Sequence, residues 1–451
     1  MASICTSNVT SGFIDLATFD EIEKYLYGGP DATAYFVRET RKATWFTQVP
    51  VVLSRAAGSP AFGQEWSVAI SRAGDYMLQT WLRLTTPKVE LLSTNSATTD
   101  GRLRWTRNFM HNIIRECCIT FNDLVAARFD NYHLDFWAAF TVPAGKRNGY
   151  NNMIGTFGDL TNPQTTLESR TLNLPLPFFY GRDSGVALPT AALPYNEMRI
   201  NFSFRDWQDL LIFEDHTATG EQRKAIEVGS DKDIAHAPVL GTTQVWANYA
   251  IVSNDERKRM ACAPRDILIE QVQTAPRQSF TPGTSAHQSY DVRFSHAIKV
   301  LFFAVRNRTW RSEWSNYVTA SPVATASSAE YPDSASDPIS RTSLIYENTN
   351  RLSQMGSDYF SLVNPFFHSP TIPLETGYHS YSYSLDFICL DPMGSTNYGK
   401  LTNVSIGLEA SDAAVAAAAS TTDKQEFEFI ITAVNNNIIR VSGGALGFPV
   451  L

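Results

Sequence analysis

Short segments rich in β-branched and aromatic residues recur along the chain, and they constrain its fold more than any other feature. They stand between clusters of Gly, Pro, Asn or Asp, and the chain contains 25 Gly and 22 Pro. Runs of this kind, bounded by turn residues, are typical of β-strands. The clearest are residues 45–53, 65–70, 76–84, 119–121, 290–294, 300–305, 381–385, 401–408 and 427–434. An aromatic content of 12% fits sandwich cores that are filled from two inner faces. We therefore predict an all-β chain.

Long proline-rich connections separate some of these segments. Residues 173–179 and 188–195 each contain two prolines, and proline has no N–H to donate to a central strand. Connections that cross between sheets are what a jelly roll requires, because its Greek keys join strands that are not neighbours. One short helix is predicted over residues 14–27, and Gly28, Gly29 and Pro30 would end it.

Two pairs of similar segments indicate an internal repeat. Residues 111–122 resemble residues 296–307, and residues 196–204 resemble residues 397–406, at offsets near 185 and 201. Their order along the chain is the same in both halves. This pattern favours two tandem sandwiches over one large β domain.

The boundary between the sandwiches is predicted in a polar, charged stretch, residues 214–241, which lacks apolar periodicity. The predicted organisation is an N-terminal segment (1–30), a first sandwich (31–220), a linker (221–241) and a second sandwich (242–451). Residues 320–339 and 410–423 are predicted as exposed insertions at one end of the second sandwich. The second insertion is rich in alanine, but a run that short forms a stable helix only when it is packed.

Composition and charge exclude some classes of partner. Charged residues make up 18% of the chain, less than the usual quarter, which suits a protein that buries much of its surface against partners. The formal net charge is -8. No run of Lys or Arg could neutralise a phosphate backbone, because the densest basic stretches, residues 38–42 and 257–259, are interrupted or preceded by acidic residues. We expect no direct binding of nucleic acid.

The cysteines and the N-terminus bear on the compartment. Cys5, Cys117, Cys118, Cys262 and Cys389 have no zinc-ligand spacing, and their odd number and scatter indicate free thiols in a reducing environment. Cys117 and Cys118 should point to opposite faces of one strand. We find no signal peptide and no apolar stretch that approaches 18 residues.

No catalytic, cofactor-binding or metal-binding residues are predicted. Nucleotide-binding loops, nucleophile elbows and zinc-protease motifs are absent from the sequence. His111 and His296 lie at strand entries, where a hydrogen-bonded structural role is expected. His133 and Asp135 could form a metal pair on a strand, but no third ligand is indicated.

Two groups of charged residues have an ordinary structural interpretation. Glycoside hydrolysis needs carboxylates on opposite sides of a cleft, whereas the acidic residues near the N-terminus fit one solvated helix face. These are Asp15, Asp20, Glu21 and Glu23. Arg182 and Asp183 are expected to form a buried pair that anchors a connection. The chain is therefore not expected to be an enzyme.

Several segments resemble one family from end to end and in order. They include TSGFID at residues 10–15, AFGQEWS at 61–67, FFYGRDSGVALP at 178–189, LIYENTNRL at 344–352, PMGSTNYGKLTN at 392–403 and GGALGFPVL at 443–451. Together they resemble the iridovirus major capsid protein, and most of all those of the invertebrate iridescent viruses.

This resemblance implies a double jelly roll, that is, two tandem eight-stranded β-sandwiches with short helices and long surface loops. It implies homotrimers of near-hexagonal outline that tile an icosahedral shell around an internal lipid membrane, in a virion assembled in the host cytoplasm. Expected partners are copies of the same chain and minor capsid proteins. The N-terminal segment is expected on the inner side of the shell, and the loops at residues 320–339 and 410–423 on the outer side.

Two other functions remain open from the residues. One is a sandwich that binds or cleaves carbohydrate, in which Trp105, Trp246 and Trp310 would stack on sugar rings. The other is a vertex or attachment protein that binds host glycans. A vertex protein would be rare in purified particles, whereas a shell protein would be the dominant band.

Overall fold

The computed structural model describes residues 2–92, 100–216, 223–283, 287–324 and 329–448. The chain divides into two compact units, Met1–Trp45 and Phe46–Leu451. The first unit contains two helices, α1 (Ala2–Ala17) and α2 (Glu21–Leu26). The second unit contains the β-strands.

The single helix predicted over residues 14–27 is interrupted in the structure. The chain leaves the helix after Ala17, and Asp20 then has an extended backbone. The Asp20 carboxylate accepts a hydrogen bond from the Glu21 amide at 2.8 Å and so begins a second helix. None of the side chains described from residue 7 to residue 45 is buried, so these residues form no core of their own.

The second unit is built mainly from strands. Up to Val252 these are β1 (Phe46–Val52), β2 (Ser54–Gly58), β3 (Glu65–Ala69), β4 (Tyr76–Thr85), β5 (Val89–Glu90), β6 (Gly101–Trp105), β7 (Ile114–Phe121), β8 (Leu124–Phe129), β9 (Thr166–Leu167), β10 (Thr171–Pro175), β11 (Met198–Phe204), β12 (Leu211–Asp215), β13 (Arg223–Lys224) and β14 (Thr243–Val252). The later strands are β15 (Arg265–Thr274), β16 (Gln278–Phe280), β17 (Gln288–Asp291), β18 (Ala297–Asn307), β19 (Val323–Ala324), β20 (Ala329–Glu330), β21 (Ile339–Tyr346), β22 (Thr349–Gly356), β23 (His379–Ser382), β24 (Thr396–Asn397), β25 (Val404–Ala410), β26 (Phe427–Ser442) and β27 (Ala445–Gly447). Its helices are α3 (Phe109–Asn112), α4 (Asn131–Thr141), α5 (Ala144–Ile154), α6 (Gly158–Thr161), α7 (Asn254–Cys262), α8 (Asn364–His368) and α9 (Asp412–Ala419).

Two jelly rolls with the same topology follow one another along the chain. In the first, the facing sheets are β1-β14-β4-β10 and β3-β11-β7-β8, with β2 added at one edge. In the second, they are β15-β26-β18-β23 and β17-β25-β21-β22. When the eight strands of either roll are numbered in chain order, the sheets read 1-8-3-6 and 2-7-4-5 in both. The predicted all-β double jelly roll is confirmed.

The connections of each roll alternate between its two ends, because neighbouring strands within every sheet are antiparallel. The long connections from strand three to four, five to six and seven to eight therefore share one end. In the first roll they are residues 86–113, 130–170 and 205–242, and in the second residues 308–338, 357–378 and 411–426. Phe46 pairs with Val252 at the opposite end of the first roll.

The topology supports one of the two predicted repeat matches. Strands β11 and β25 are the seventh strands of their rolls, and the similar segments 196–204 and 397–406 each lead into one of them. Strand β7 is the fourth strand of the first roll, whereas β18 is the third strand of the second roll. The match of residues 111–122 with 296–307 therefore joins strands that are not equivalent.

Strand pairing also moves the boundary between the rolls. Strand β14 lies between β1 and β4 in the first roll, although the sequence analysis assigned residues 242–451 to the second. The predicted linker, residues 221–241, in turn includes strand β13, which pairs with β12, while its residues 221 and 222 lie outside the described residues. We propose that the division falls between Val252 and Arg265, where α7 connects the two rolls.

The two predicted surface insertions are partly packed. Residues 410–423 contain helix α9, which the Ser411 hydroxyl caps by accepting a hydrogen bond from the Ala414 amide at 3.3 Å. Ala414 is fully buried, and this packing is what an alanine-rich helix of eight residues needs to be stable. In the other insertion, residues 325–328 lie outside the described residues, and Pro338 and Ile339 are buried.

Aromatic side chains fill both rolls and the space between them. Along β11, alternate residues face the core of the first roll, as expected for a half-buried strand. Between the rolls, Phe136 and Phe140 of α4 stack on Phe302 of β18, with ring centroids 6.0 and 5.3 Å apart. The Asp130 carboxylate caps this helix by accepting a hydrogen bond from the His133 amide at 3.0 Å. A helix from the first roll thus joins the two cores.

Candidate functional site

Buried and partly buried side chains, most of them polar, connect the two jelly rolls along a surface that we call the seam. From the first roll the seam contains Arg104, His111, Asn112, Asp135, Arg182, Arg205, Glu214 and Arg223, and from the second Glu270, Lys299, Arg306, Glu313, Trp314, Ser315 and Tyr317. Several of these residues lie on the long connections. The seam therefore fixes the loop-bearing end of one roll against the other.

A cluster of two arginines and two glutamates forms one part of the seam. The Arg104 side chain is 1% exposed, and it donates to Glu214 at 3.0 Å and to Glu313 of the second roll. Arg223 lies 3.1 Å from Glu313. Burial alone would raise the pKa of the Glu313 carboxyl, but Arg104 and Arg223 lower it below its ordinary value. The cluster is balanced in charge, which permits its burial.

Asp135 is the centre of a second group of contacts. One carboxylate oxygen lies 2.7 Å from His111 Nδ1, and the other accepts hydrogen bonds from Ser315 at 2.8 Å and Tyr317 at 2.9 Å. His111 Nε2 lies 2.6 Å from the Tyr150 hydroxyl. Burial raises the pKa of Tyr317, so its phenol stays protonated as a donor. His111 thus has hydrogen-bonded structural contacts.

The predicted placement of His133 and Asp135 on one face of a strand is wrong. They lie on helix α4 rather than on a strand, and two residues apart on a helix they face different directions. The His133 ring packs near Trp137 at 5.7 Å, and burial lowers its pKa to about 3. Across the described part of the chain, no three His, Cys, Asp or Glu residues are grouped as metal ligands.

The predicted buried pair of Arg182 and Asp183 is wrong. Asp183 is exposed, and Arg182 instead reaches across the seam to Glu270 and donates to the Ile388 carbonyl at 2.6 Å. Glu270 also pairs with Lys299 at 2.5 Å. The chain direction at this turn points Arg182 toward the second roll, which the sequence alone could not indicate.

An arginine stack completes the seam. The Arg205 guanidinium lies 3.5 Å from the centroid of the Trp314 ring, and Arg306 lies 4.2 Å from it. The Trp314 indole donates to the Asp209 carbonyl at 2.8 Å. Burial lowers the pKa of Arg205 to about 10. Sequence analysis missed these residues, and its one available signal was a charged residue, Arg306, inside the mostly apolar strand β18.

The other candidates are not brought together as a site. Of the acidic residues near the N-terminus, Asp15, Asp20 and Glu21 are exposed and Glu23 is half-buried, and Glu21 pairs with Lys24 at 2.7 Å. His296 has a positive φ of 63°, and its carbonyl accepts a hydrogen bond from the Tyr398 amide at 3.1 Å. Cys117 is buried and Cys118 half-buried, in agreement with opposite strand faces, and both are free thiols.

The tryptophans proposed for sugar stacking do not form a common platform. Trp105 is fully buried in the core of the first roll. Trp246 stacks on Trp81 at 6.2 Å. The Arg223 guanidinium lies 4.9 Å from the ring centroid of Trp310.

Large apolar side chains are exposed in the first unit and on the second roll. In the first unit the exposed apolar side chains include Phe13, Ile14, Leu16, Phe19, Ile22, Tyr25, Leu26, Tyr27, Tyr35, Phe36, Val37 and Trp45. Scattered apolar residues are ordinary on a protein surface, but this density is typical of surfaces that partners cover. None of the helices within the described residues is both long enough and apolar enough to span a membrane.

Two family models match consecutive parts of the chain. Residues 34–252 match the model described as "Major capsid protein N-terminus". Residues 256–447 match "Large eukaryotic DNA virus major capsid protein". The end of the first match and the start of the second flank the start of helix α7.

Curated relatives match over the whole chain. The major capsid protein of Costelytra zealandica iridescent virus is 66% identical over 100% of both chains, and that of Invertebrate iridescent virus 6 is also 66% identical over 100% of both. The major capsid protein of Lymphocystis disease virus 1 is 50% identical, again over 100% of both chains. The resemblance to iridovirus capsid proteins is confirmed.

Solved structures share the fold. A PBCV-1 virus capsid model matches with a TM-score of 0.74 at 20% identity, over 93% of this chain and 100% of the other. The Faustovirus major capsid protein matches with a TM-score of 0.71 at 10% identity, over 94% of each chain.

Proposed function

Because the chain belongs to the major capsid protein family of large eukaryotic DNA viruses, as an iridescent virus member, we propose that it forms trimeric, pseudo-hexagonal capsomers that tile the outer shell around an internal membrane. Its role is structural: it is a capsid protein of the virion and not an enzyme. The observation that carries the proposal is the presence of two topologically identical jelly rolls in one compact unit.

The number of rolls in each chain supports a trimer. Three chains with two equivalent rolls each present six similar sandwiches, which gives a nearly sixfold outline with only threefold symmetry. The seam supports this arrangement because it sets the two rolls of a chain at one orientation. Obligate interfaces of such assemblies bury about 2,000–5,000 Å² in total.

The topology suggests which end of the capsomer faces outward. The long connections share one end of each roll, and the first roll begins at Phe46 at its other end. We propose that the loop-bearing end, with residues 320–339 and 410–423, faces outward. The N-terminal segment would then face the internal membrane or minor capsid proteins.

The net charge and the free cysteines support two further parts of the proposal. A net charge of -8 without a basic run argues against direct contact with the genome. The described cysteines Cys117, Cys118, Cys262 and Cys389 are free, as expected of a chain made in the host cytoplasm.

Measuring the mass of the purified full-length chain tests the trimer. Light scattering during size-exclusion chromatography should give about three times the chain mass of 50.2 kDa. A stable monomer would contradict the proposal. In purified particles the chain should be the dominant band, and electron micrographs should show icosahedral shells.

Limited proteolysis of intact particles tests the orientation. The loops at residues 320–339 and 410–423 should be cut before the N-terminal segment. Cleavage in the opposite order would reverse the proposed inner and outer ends.

A further inference from the structure

A contiguous group of apolar side chains is exposed on the connection between strands five and six of the second roll. We call it the aromatic ridge; it consists of Leu362 (52% exposed), Val363 (41%), Phe366 (68%) and Phe367 (71%). The rings of Phe366 and Phe367 contact each other at 5.2 Å. A contiguous apolar group of this kind marks an interface, unlike a single exposed residue.

The ridge is held in place by buried contacts. Next to it, Phe360 is 1% exposed and packs edge-on against Phe303 at 5.4 Å. The buried Asn364 side chain accepts a hydrogen bond from the Ser382 amide at 3.3 Å. His368 Nδ1 lies 3.0 Å from the Leu385 carbonyl. Its apolar side chains are therefore presented by packed backbone and not by a loose loop.

An apolar groove lies on the equivalent connection of the first roll. It is formed by α4, α5 and residues 175–182, with a volume of about 570 Å³. Trp137, Val142 and Met153 are among its lining side chains. This volume is within the range of about 300–1,000 Å³ seen for sites that hold apolar groups.

Two glycines of α5 line this groove, and they suggest what it accepts. Gly145 and Gly149 are four residues apart and share one helix face, and a Cβ at either would meet nothing within 4 Å. Glycine is among the least favourable residues within a helix. Bare backbone at these positions lets a bulky group approach the helix closely.

The ridge and the groove lie on either side of the seam and close together. The Ser369 hydroxyl, two residues after Phe367, donates to the carbonyl of Phe140 at the end of α4. In a cyclic trimer each interface joins two different surfaces, so a donor surface and a receiving surface must both occur on every chain. We propose that the aromatic ridge of one copy packs into the α4–α5 groove of the next copy, closing the trimer; this rests on the proposed trimeric function.

Two variants test the proposal from opposite sides of the interface. The first is Phe366→Glu with Phe367→Glu, which places two carboxylates in an apolar contact. The second is Gly149→Trp, which fills the groove from a position where a Cβ has open space. Light scattering during size-exclusion chromatography of the full chain should show loss of most of the trimer in each variant, at a concentration where the wild type is trimeric.

Matched controls separate assembly from folding. Gly149→Ala adds only a methyl group and should stay trimeric, and Val239→Glu changes another exposed apolar residue (73% exposed) and should also stay trimeric. Circular dichroism should show unchanged β-structure in all variants, and if the double glutamate variant unfolds, Gly149→Trp decides the result. Trimers that persist in folded Gly149→Trp and in the double variant would overturn the pairing but leave the trimer standing. A monomeric wild type would overturn both.

Discussion

Replacing Glu313 with Gln should show how much the seam stabilises the folded chain. The Glu313 side chain is 3% exposed and pairs with Arg104 and with Arg223 at 3.1 Å, both from the other jelly roll. Removing one partner of a buried ion pair costs about 3–5 kcal/mol, because it leaves an uncompensated buried charge. Here Arg104 keeps Glu214 at 3.0 Å, so we expect the lower end, about 3 kcal/mol of unfolding free energy.

Urea denaturation at pH 7 measures this loss, with Glu426→Gln as the control. Glu426 pairs with Arg308 at 3.1 Å, but both side chains are about half exposed, at 59% and 45%. Exposed pairs are worth less than about 1 kcal/mol. If Glu313→Gln costs no more than Glu426→Gln, the seam cluster does not hold the rolls together.

The pH dependence of the same variant provides an independent check. The two arginines lower the pKa of Glu313 below its ordinary value of 4.5, despite burial, which would raise it. A carboxyl with a lowered folded pKa contributes stability that is present above its unfolded pKa and is lost as the pH falls through the folded value. The difference between wild type and Glu313→Gln should therefore be constant above pH 4.5 and shrink in more acid solution. A difference that grows as the pH falls would refute the reasoning.

Three further changes test the packing between and within the rolls. Phe302→Ala removes a fully buried ring that Phe136 and Phe140 contact, and should cost about 3–5 kcal/mol in urea denaturation. Ser411→Ala removes the cap of α9 and should lower the free energy of unfolding by about 1 kcal/mol. It should also speed hydrogen exchange of the Ala414 amide, and unchanged exchange would contradict the capping role. His133 has a pKa of about 3 when folded and an ordinary value of 6.5, so its burial costs stability as the pH falls below 6.5. His133→Leu should then lose less stability than the wild type between pH 6.5 and 4, as thermal melts at a series of pH values would show.

The strands could be predicted from the sequence because their signal is local. In β3, which the predicted strand at residues 65–70 includes, the apolar Trp66 and Val68 alternate with less buried residues and face the core, and any half-buried strand shows this period. The interruption of the first helix at Asp20 also had a local signal, since Asp favours the position before a helix. The placement of β14 had no local signal. Its central position in the first roll depends on pairing with β1 and β4, which are far away in the sequence.

The seam could not be predicted, because its partners are far apart along the chain and meet only after both rolls fold. Arg104 and Glu313 are separated by 209 residues, and Asp135 and Tyr317 by 182. The misassigned Arg182 shows the difficulty: its neighbour Asp183 is the obvious partner in the sequence, yet Glu270 lies where its guanidinium points.

Hydrogen bonds and ion pairs of this kind depend on direction, whereas apolar contacts such as Phe140 on Phe302 tolerate small rotations. Sliding one roll against the other would separate Arg205 from Trp314 and leave buried charges without partners, which costs far more than a shifted apolar contact. The seam therefore restricts the angle between the two rolls, and in the proposed trimer that angle decides whether the six sandwiches can close into a nearly hexagonal outline.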